Sequence, residues 1–284
     1  MENTSARNYP GAALHPAYFA PGAVSFSEFL GQAAPDLLPG RRPLPEVPVT
    51  GAVTHGTTIV AATFKGGVLL AGDRRATQGN VIAQRDIEKV FVTDDYSAVG
   101  IAGVAGLAVE LVRLFAVELE HYEKIEGVSL SLDGKANKLG TMVRGNLDAA
   151  MMGLAVLPLF VGYDPDAADP ERAARIVSYD ITGSRADEHQ GYHAIGSGSV
   201  FAKAALKKKF DPAADADTAV RTAVEALYDA ADDDTATGGP DLTRRIYPMV
   251  VTITAEAGAT KWSEEATKAV AEAVVQGRMA NPGG

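Results

Sequence analysis

Hydrophobic and polar positions change character near residue 57. Ahead of it, residues 1–56 hold eight of the chain's fifteen prolines, three of them in "RRPLPEVPVT" (Arg41 to Thr50). Proline removes an amide donor and fixes φ, so this segment is expected neither to pair in a sheet nor to sustain a helix. One apolar run within it, "SFSEFL" (Ser25 to Leu30), suits a single helical turn or a docked plug. After Thr57 the pattern becomes that of a folded protein. "TTIVAATF", the turn "KGG" (Lys65 to Gly67) and "VLLAGD" read as a hairpin, and "KVFVT", "DDY" and "SAVGIAG" repeat the arrangement. From about Gly106 to His121, Leu107, Leu111, Phe115 and Leu119, with Tyr122 just beyond, recur at helical spacing and make one apolar face. A second helix is expected roughly from Lys135 to Met152.

Three strand candidates follow, in "LPLFVGYD", "ARIVSYDITG" and "GYHAIGSG". Two helices come next, "SVFAKAALKKKF" and "TAVRTAVEALYDAADDD" from Thr218. "IYPMVVTIT" closes as a strand, and a terminal helix starts near Ser263. Strands, two helices, strands and two helices predict antiparallel sheets layered with helices, an α+β protein and not an alternating parallel one.

Composition narrows the function classes. Apolar residues make up 46 % of 284, enough for a sizeable core. The net charge of −10 argues against a nucleic-acid or anionic-membrane surface. Absence of cysteine removes disulfides, thiolate nucleophiles and cysteine metal sites, and fits a cytosolic protein. The start lacks a secretory signal, and no stretch approaches the roughly 18 apolar residues of a membrane span.

Several motifs have plain structural readings. "GIAGVAG" (Gly100, Gly103, Gly106) is spaced GxxGxxG and follows hairpins, so a tight turn with exposed amides suits it better than a dinucleotide loop. "GSGS" (Gly196 to Ser199) precedes a helix, which makes Ser199 a candidate cap. "DDD" (Asp232 to Asp234) reads as a solvated helix end, and His121 and His193 as surface or loop residues. Thr57, Asp73 and Lys89 remain, at the start of the first strand, the end of the second and the start of the third. Strand ends at one edge can bring them together. A threonine hydroxyl needs a base, which a free α-amine with a pKa of about 8 can be, whereas lysine at about 10.4 serves as a fixed positive charge. By spacing alone the trio could equally be a strand start beside a surface ion pair.

Read as strings, the same residues resemble a known family. "TTIVAATFKGGVLLAGDRRATQGNVIAQRDIEKVF" is similar to the start of a mature proteasome β subunit, with Thr57 as first residue. "GIAG" and "YHAIGSGSVFAKAALKK" fall where that family places its oxyanion turn and serine loop, and "EALYDAADDDTATGGPDL" resembles the actinobacterial branch. The likeness runs from Thr57 to about Thr254. It implies a four-layer αββα sandwich of two antiparallel sheets over residues 57–284, and a propeptide over residues 1–56 cut between Gly56 and Thr57. It further implies a threonine endopeptidase with Thr57 as nucleophile, Asp73 and Lys89 as its charge pair, and the Gly103 amide as oxyanion donor. Ser197, Asp234 and Thr237 would support the new terminus, Thr237 standing where the family usually has serine. Ala76, Ile87, Ile101, Ala105 and Val109 would line an apolar specificity pocket, and Thr77 would bind substrate backbone. No cofactor or metal is implied. The implied partners are a proteasome α subunit, homo-heptameric β rings stacked in an α7β7β7α7 barrel, a hexameric ATPase, and substrates carrying a small protein modifier. An amidase acting on small molecules, a simpler hexameric-ring relative and a non-catalytic ring subunit are the alternatives.

Overall fold

A computed structural model of the chain describes residues 25–46 and 56–282. The rest of the 1–56 segment, and the last two residues, lie outside it. Twelve strands are present among the described residues: β1 (Thr58–Phe64), β2 (Gly67–Gly72), β3 (Ala76–Gln78), β4 (Val81–Gln84), β5 (Val90–Asp94), β6 (Ser97–Gly103), β7 (Val156–Tyr163), β8 (Ala174–Tyr179), β9 (Arg185–Asp187), β10 (Tyr192–Gly196), β11 (Met249–Thr254) and β12 (Gly258–Lys261). The helices are α1 (Phe26–Ala33), α2 (Ala105–Glu126), α3 (Leu132–Arg144), α4 (Leu147–Met151), α5 (Ser199–Lys209), α6 (Ala216–Asp233) and α7 (Glu264–Ala280). One five-stranded antiparallel sheet runs β10-β1-β2-β11-β12 and another β5-β6-β7-β8-β9, with β3-β4 as a separate ribbon.

The layers follow from which way alternate side chains point. Val60, Ala62, Leu69 and Ala71 face outward onto Val220, Val224 and Leu227 of α6, with Ala202 and Leu206 of α5. Ile59, Ala61, Val68 and Leu70, on the same strands, face Leu159 and Val161 of the other sheet. That sheet's outer face sets Val99, Ile101 and Phe160 against Leu111 and Phe115 of α2 and Leu139 of α3. Strands buried on both faces read as nearly unbroken apolar runs, which is why β1 and β2 show so little alternation. The four-layer αββα sandwich expected from the sequence is the fold observed.

The differences are local. Helix α2 continues to Glu126, where Gly127 ends it in the left-handed conformation (φ 72°) with its amide on Glu123 O. The expected Lys135–Met152 helix is two: α3 stops at Gly145, and Asn146, its Nδ2 on Met142 O at 2.9 Å, turns the chain into α4. The proline-rich segment does hold a helix, α1, because Phe26–Ala33 contains no proline. It is a docked element: the Ser27 amide donates to the buried Glu118 carboxylate at 2.7 Å, Lys138 donates to Ser25 Oγ at 2.8 Å, and the Phe26 ring packs at a tilt against His121. His121 is therefore a helix residue under α1. His193 lies in β10, half buried, with its Nδ1 3.3 Å from Glu188. Ser199 is the first residue of α5 and not its cap, a place taken by Gly198. Among the described residues no helix is long and apolar enough to cross a membrane.

Candidate active site

Five separate segments of the sequence meet at Thr57. The start of β1 brings Gly56, Thr57 and Thr58, the end of β2 brings Asp73, and the run before β5 brings Lys89. Ser197 follows β10, while Asp234 caps the C-terminal end of α6 and leads to Thr237 and Gly238. Register fixes the approach: β1 pairs Thr58 with Gly196, whose positive φ (97°) brings its Cα against the Thr57 carbonyl. An added Cβ at Gly196 would stand 2.0 Å from Thr57 O, so only glycine fits.

Asp73 is fully buried, yet a donor meets every side of its carboxylate. Oδ1 accepts the Thr58 amide and the Lys89 ammonium, each at 2.8 Å. Oδ2 accepts the Arg75 and Gly238 amides, each at 2.9 Å. Lys89, 3 % exposed, places its three N–H bonds on Asp73 Oδ1, Gly56 O (3.0 Å) and Arg75 O. Burial pulls the Lys89 ammonium below the ordinary lysine range, against the opposing pull of Asp73. With each hydrogen on an acceptor, it stands as a hydrogen-bonded cation and has no lone pair free to act as a base.

Thr57 Oγ1 donates to Gly56 O at 2.7 Å, on the same oxygen that Lys89 holds. Hydroxyl, carbonyl and cation are thus in mutual contact across the Gly56–Thr57 peptide bond. The Gly56 amide is tied to Thr77 Oγ1 at 3.2 Å. On the other side, Ser197 Oγ donates to Asp234 Oδ2 at 2.5 Å and lies 3.4 Å from both the amide and the carbonyl oxygen of Thr57. Thr237 Oγ1 joins the same carboxylate oxygen at 2.6 Å and Thr58 Oγ1 at 2.7 Å. The methyl that distinguishes threonine from serine at 237 is fully buried.

A cavity of about 260 Å³, mouth included, opens beside Thr57. Ala76, Ile87, Ile101, Gly103 and Ala105 line it, as do Gly56 and Lys89. Val109 does not: one residue earlier on α2, Ala108 lines the wall, and Val109 packs partly buried against the helix–sheet core. Gly103 has a φ of 109°, and an added Cβ there would meet Ala155 O at 2.2 Å.

Sequence reasoning missed three participants. Arg75 ties two loops together, its amide on Asp73 and its Nη1 on the carbonyls of Thr235 (3.1 Å) and Thr237 (3.0 Å). Gly238 gives its amide to Asp73. Glu88 also lines the cavity, and its carboxylate pairs with Lys261 of β12 at 2.6 Å. Glu88 and Arg75 were visible as neighbours of the candidate residues, but nothing in their spacing marks them.

Comparison with known proteins gives a consistent picture. The family model described as "Proteasome subunit" matches residues 53–241. The "Proteasome subunit beta" of Saccharopolyspora erythraea is 70 % identical over 100 % of this chain and 99 % of its own length. That of Saccharomonospora viridis is 68 % identical with the same coverage, and that of Acidothermus cellulolyticus 60 % identical over 97 % of this chain and 95 % of its own.

Proposed function

Because this chain belongs to the proteasome β-subunit family, we propose that it is a threonine endopeptidase that creates its own nucleophile by cutting between Gly56 and Thr57. The observation that carries this reading is the shared oxygen: Gly56 O takes both the Thr57 hydroxyl at 2.7 Å and the Lys89 ammonium at 3.0 Å. Attack by Thr57 Oγ on the Gly56 carbonyl carbon puts negative charge on that oxygen. Lys89, fixed by Asp73, stabilises it, and such preorganised contacts are typically worth about 3–4 kcal/mol. Collapse breaks the C–N bond, the hydroxyl proton ends on the Thr57 nitrogen, and an ester links Gly56 to Thr57 Oγ. Water then hydrolyses the ester, leaving a Gly56 carboxylate and a free Thr57 amine.

The same residues then act on substrate. Thr57 Oγ attacks the peptide carbonyl, and the released α-amine handles the proton. Ser197, Asp234 and Thr237 hold that amine in place, and the Gly103 amide takes the oxyanion. Thr77 binds substrate backbone as an added strand. The cavity of Ala76, Ile87, Ile101 and Ala105 favours cleavage after hydrophobic residues. Residues 1–56 are then the propeptide. The working enzyme is a cytosolic α7β7β7α7 barrel with a separate α subunit, fed by a hexameric ATPase with substrates bearing a small protein modifier.

The test is the intact mass of the chain after co-expression with its α subunit, beside Thr57→Ala. A wild-type mass beginning at Thr57, a full-length mutant, and release of dye from a fluorogenic peptide with a hydrophobic residue before the cut are expected. An uncut wild-type chain in an assembled particle would point instead to a structural ring subunit.

A further inference from the structure

A second cavity, sharing no wall residue with the one beside Thr57, encloses about 520 Å³ including its mouth. Four guanidinium groups line it: Arg74 and Arg75 just after β2, Arg85 just after β4, and Arg244 from the loop between α6 and β11. The one carboxylate in its wall is Asp241. In a chain of net charge −10, four cations around one hollow are a local arrangement and do not follow from composition.

Their pairing is incomplete. Arg244 Nη1 holds Asp241 at 2.8 Å, and Arg75 is committed to the carbonyls of Thr235 and Thr237. Arg74 pairs through Nη2 with Asp86, an exposed residue outside the cavity wall, while its Nε is buried and has no acceptor among the described residues. A buried donor in that state calls for an acceptor that the described residues do not provide. Arg85, exposed at the mouth, has neither a hydrogen bond nor an ion pair among the described residues. The turn that brings Arg244 is closed by the Asp241–Ile246 bridge and passes through Arg245 at a φ of 58°, a conformation uncommon for a residue with a side chain. Like charges held together at a constrained turn are stabilised by an anion, and guanidinium forks match the planar or tetrahedral oxygens of carboxylate and phosphate.

We propose that this cavity is an oxyanion-binding site, taking a phosphate or carboxylate at Arg74, Arg85 and Arg244. The site does not depend on the proteolytic reading, since none of these three side chains has a part in it.

The experiment is a thermal-unfolding titration of the full-length chain with sodium phosphate against sodium chloride at matched ionic strength. A parallel arm compares triglutamate with triglutamine. The Arg85→Gln/Arg244→Gln double variant is titrated alongside, with Arg85→Gln alone as the fallback, since an exposed, unpaired residue is not needed for folding. A saturable rise in Tm from phosphate is expected, with half-saturation shifted at least tenfold upward in the double variant. Saturation by triglutamate alone would support the same site with a polypeptide carboxylate as its ligand. General salting effects do not saturate and act equally on wild type and variant. No saturable excess over chloride or triglutamine, or the same half-saturation in the variants, overturns the proposal.

Discussion

Replacing Gly56 by alanine isolates the geometry of the proposed cut from its chemistry, because the side chain added is inert and lies on the proposed propeptide. A Cβ at residue 56 would stand 2.1 Å from Ala236 Cβ, 2.2 Å from Ala236 O and 2.6 Å from Ala236 C. Carbon atoms rest about 3.5–4.0 Å apart, so the two segments must separate by more than about 1 Å. Neither yields readily. Ala236 donates its amide to Asp234 at 3.1 Å, and Arg75 grips the carbonyls on either side of it. Gly56 is held at its amide by Thr77 and at its carbonyl by Lys89. Overpacking of this kind costs about 1–3 kcal/mol, and a misplacement of about 1 Å at a reacting centre slows reaction about a hundredfold. The Gly56→Ala precursor should therefore mature about a hundred times more slowly, followed by intact mass against time after assembly. Mature enzyme eventually recovered from it should match wild type in peptidase rate, because residue 56 is gone. Processing of the mutant within threefold of wild type would refute the steric argument.

Lys89→Met should abolish processing and lower precursor stability by about 3–5 kcal/mol in denaturant unfolding, since Asp73 is left buried without its cation. Thr237→Ala strips a hydroxyl from both Asp234 and Thr58 and should cost about 1–3 kcal/mol, whereas Thr237→Ser should recover most of it in the same assay. Ala105→Asp, which sets a carboxylate among the alanines and isoleucines of the cavity wall, should reduce kcat/KM at least tenfold for peptides with a hydrophobic residue before the cut. Burial opposes ionisation of Glu118, but Lys138, Ser25 and Ser27 outweigh it and hold the carboxyl below the ordinary range. That contribution to α1 docking is complete above the ordinary value of 4.5 and fades as pH falls through the lower folded-state value. Protection of the α1 amides, relative to their intrinsic exchange rates, should fall in that acid window, and Glu118→Gln should lower it at neutral pH.

The layered fold was legible because β1, β2, β5, β6 and β7 are apolar runs bounded by turn residues, and α2 and α6 carry their stripes at helical spacing. Short β3, β4, β9 and β12 were not legible: β4 is exposed or nearly so along its length and has no burial pattern to read. Periodicity alone stopped short of the helix end at Gly127 and overran the one at Gly145. Asp73 and Lys89 could be paired from strand ends. By contrast, the meeting of Thr58 with Thr237, 179 positions apart, depends on how α6 crosses the sheet. Arg75 was hidden for another reason, since its amide and carbonyl at the site are groups every residue has, and its side chain binds backbone.

The span of sequence that converges on Thr57 also makes the proposed cut a report on the whole fold. Asp73 is completed by an amide 165 positions later, and Thr58 is fixed by a hydroxyl on the same distant loop. A ribosome-bound chain that has not yet released residues 234–238 lacks the supports around its Gly56–Thr57 bond, however well its first hairpins have formed. Proteolytic competence would thus be timed by completion of synthesis, with the last strand-bearing third of the protein acting as the key to a lock carried in the first.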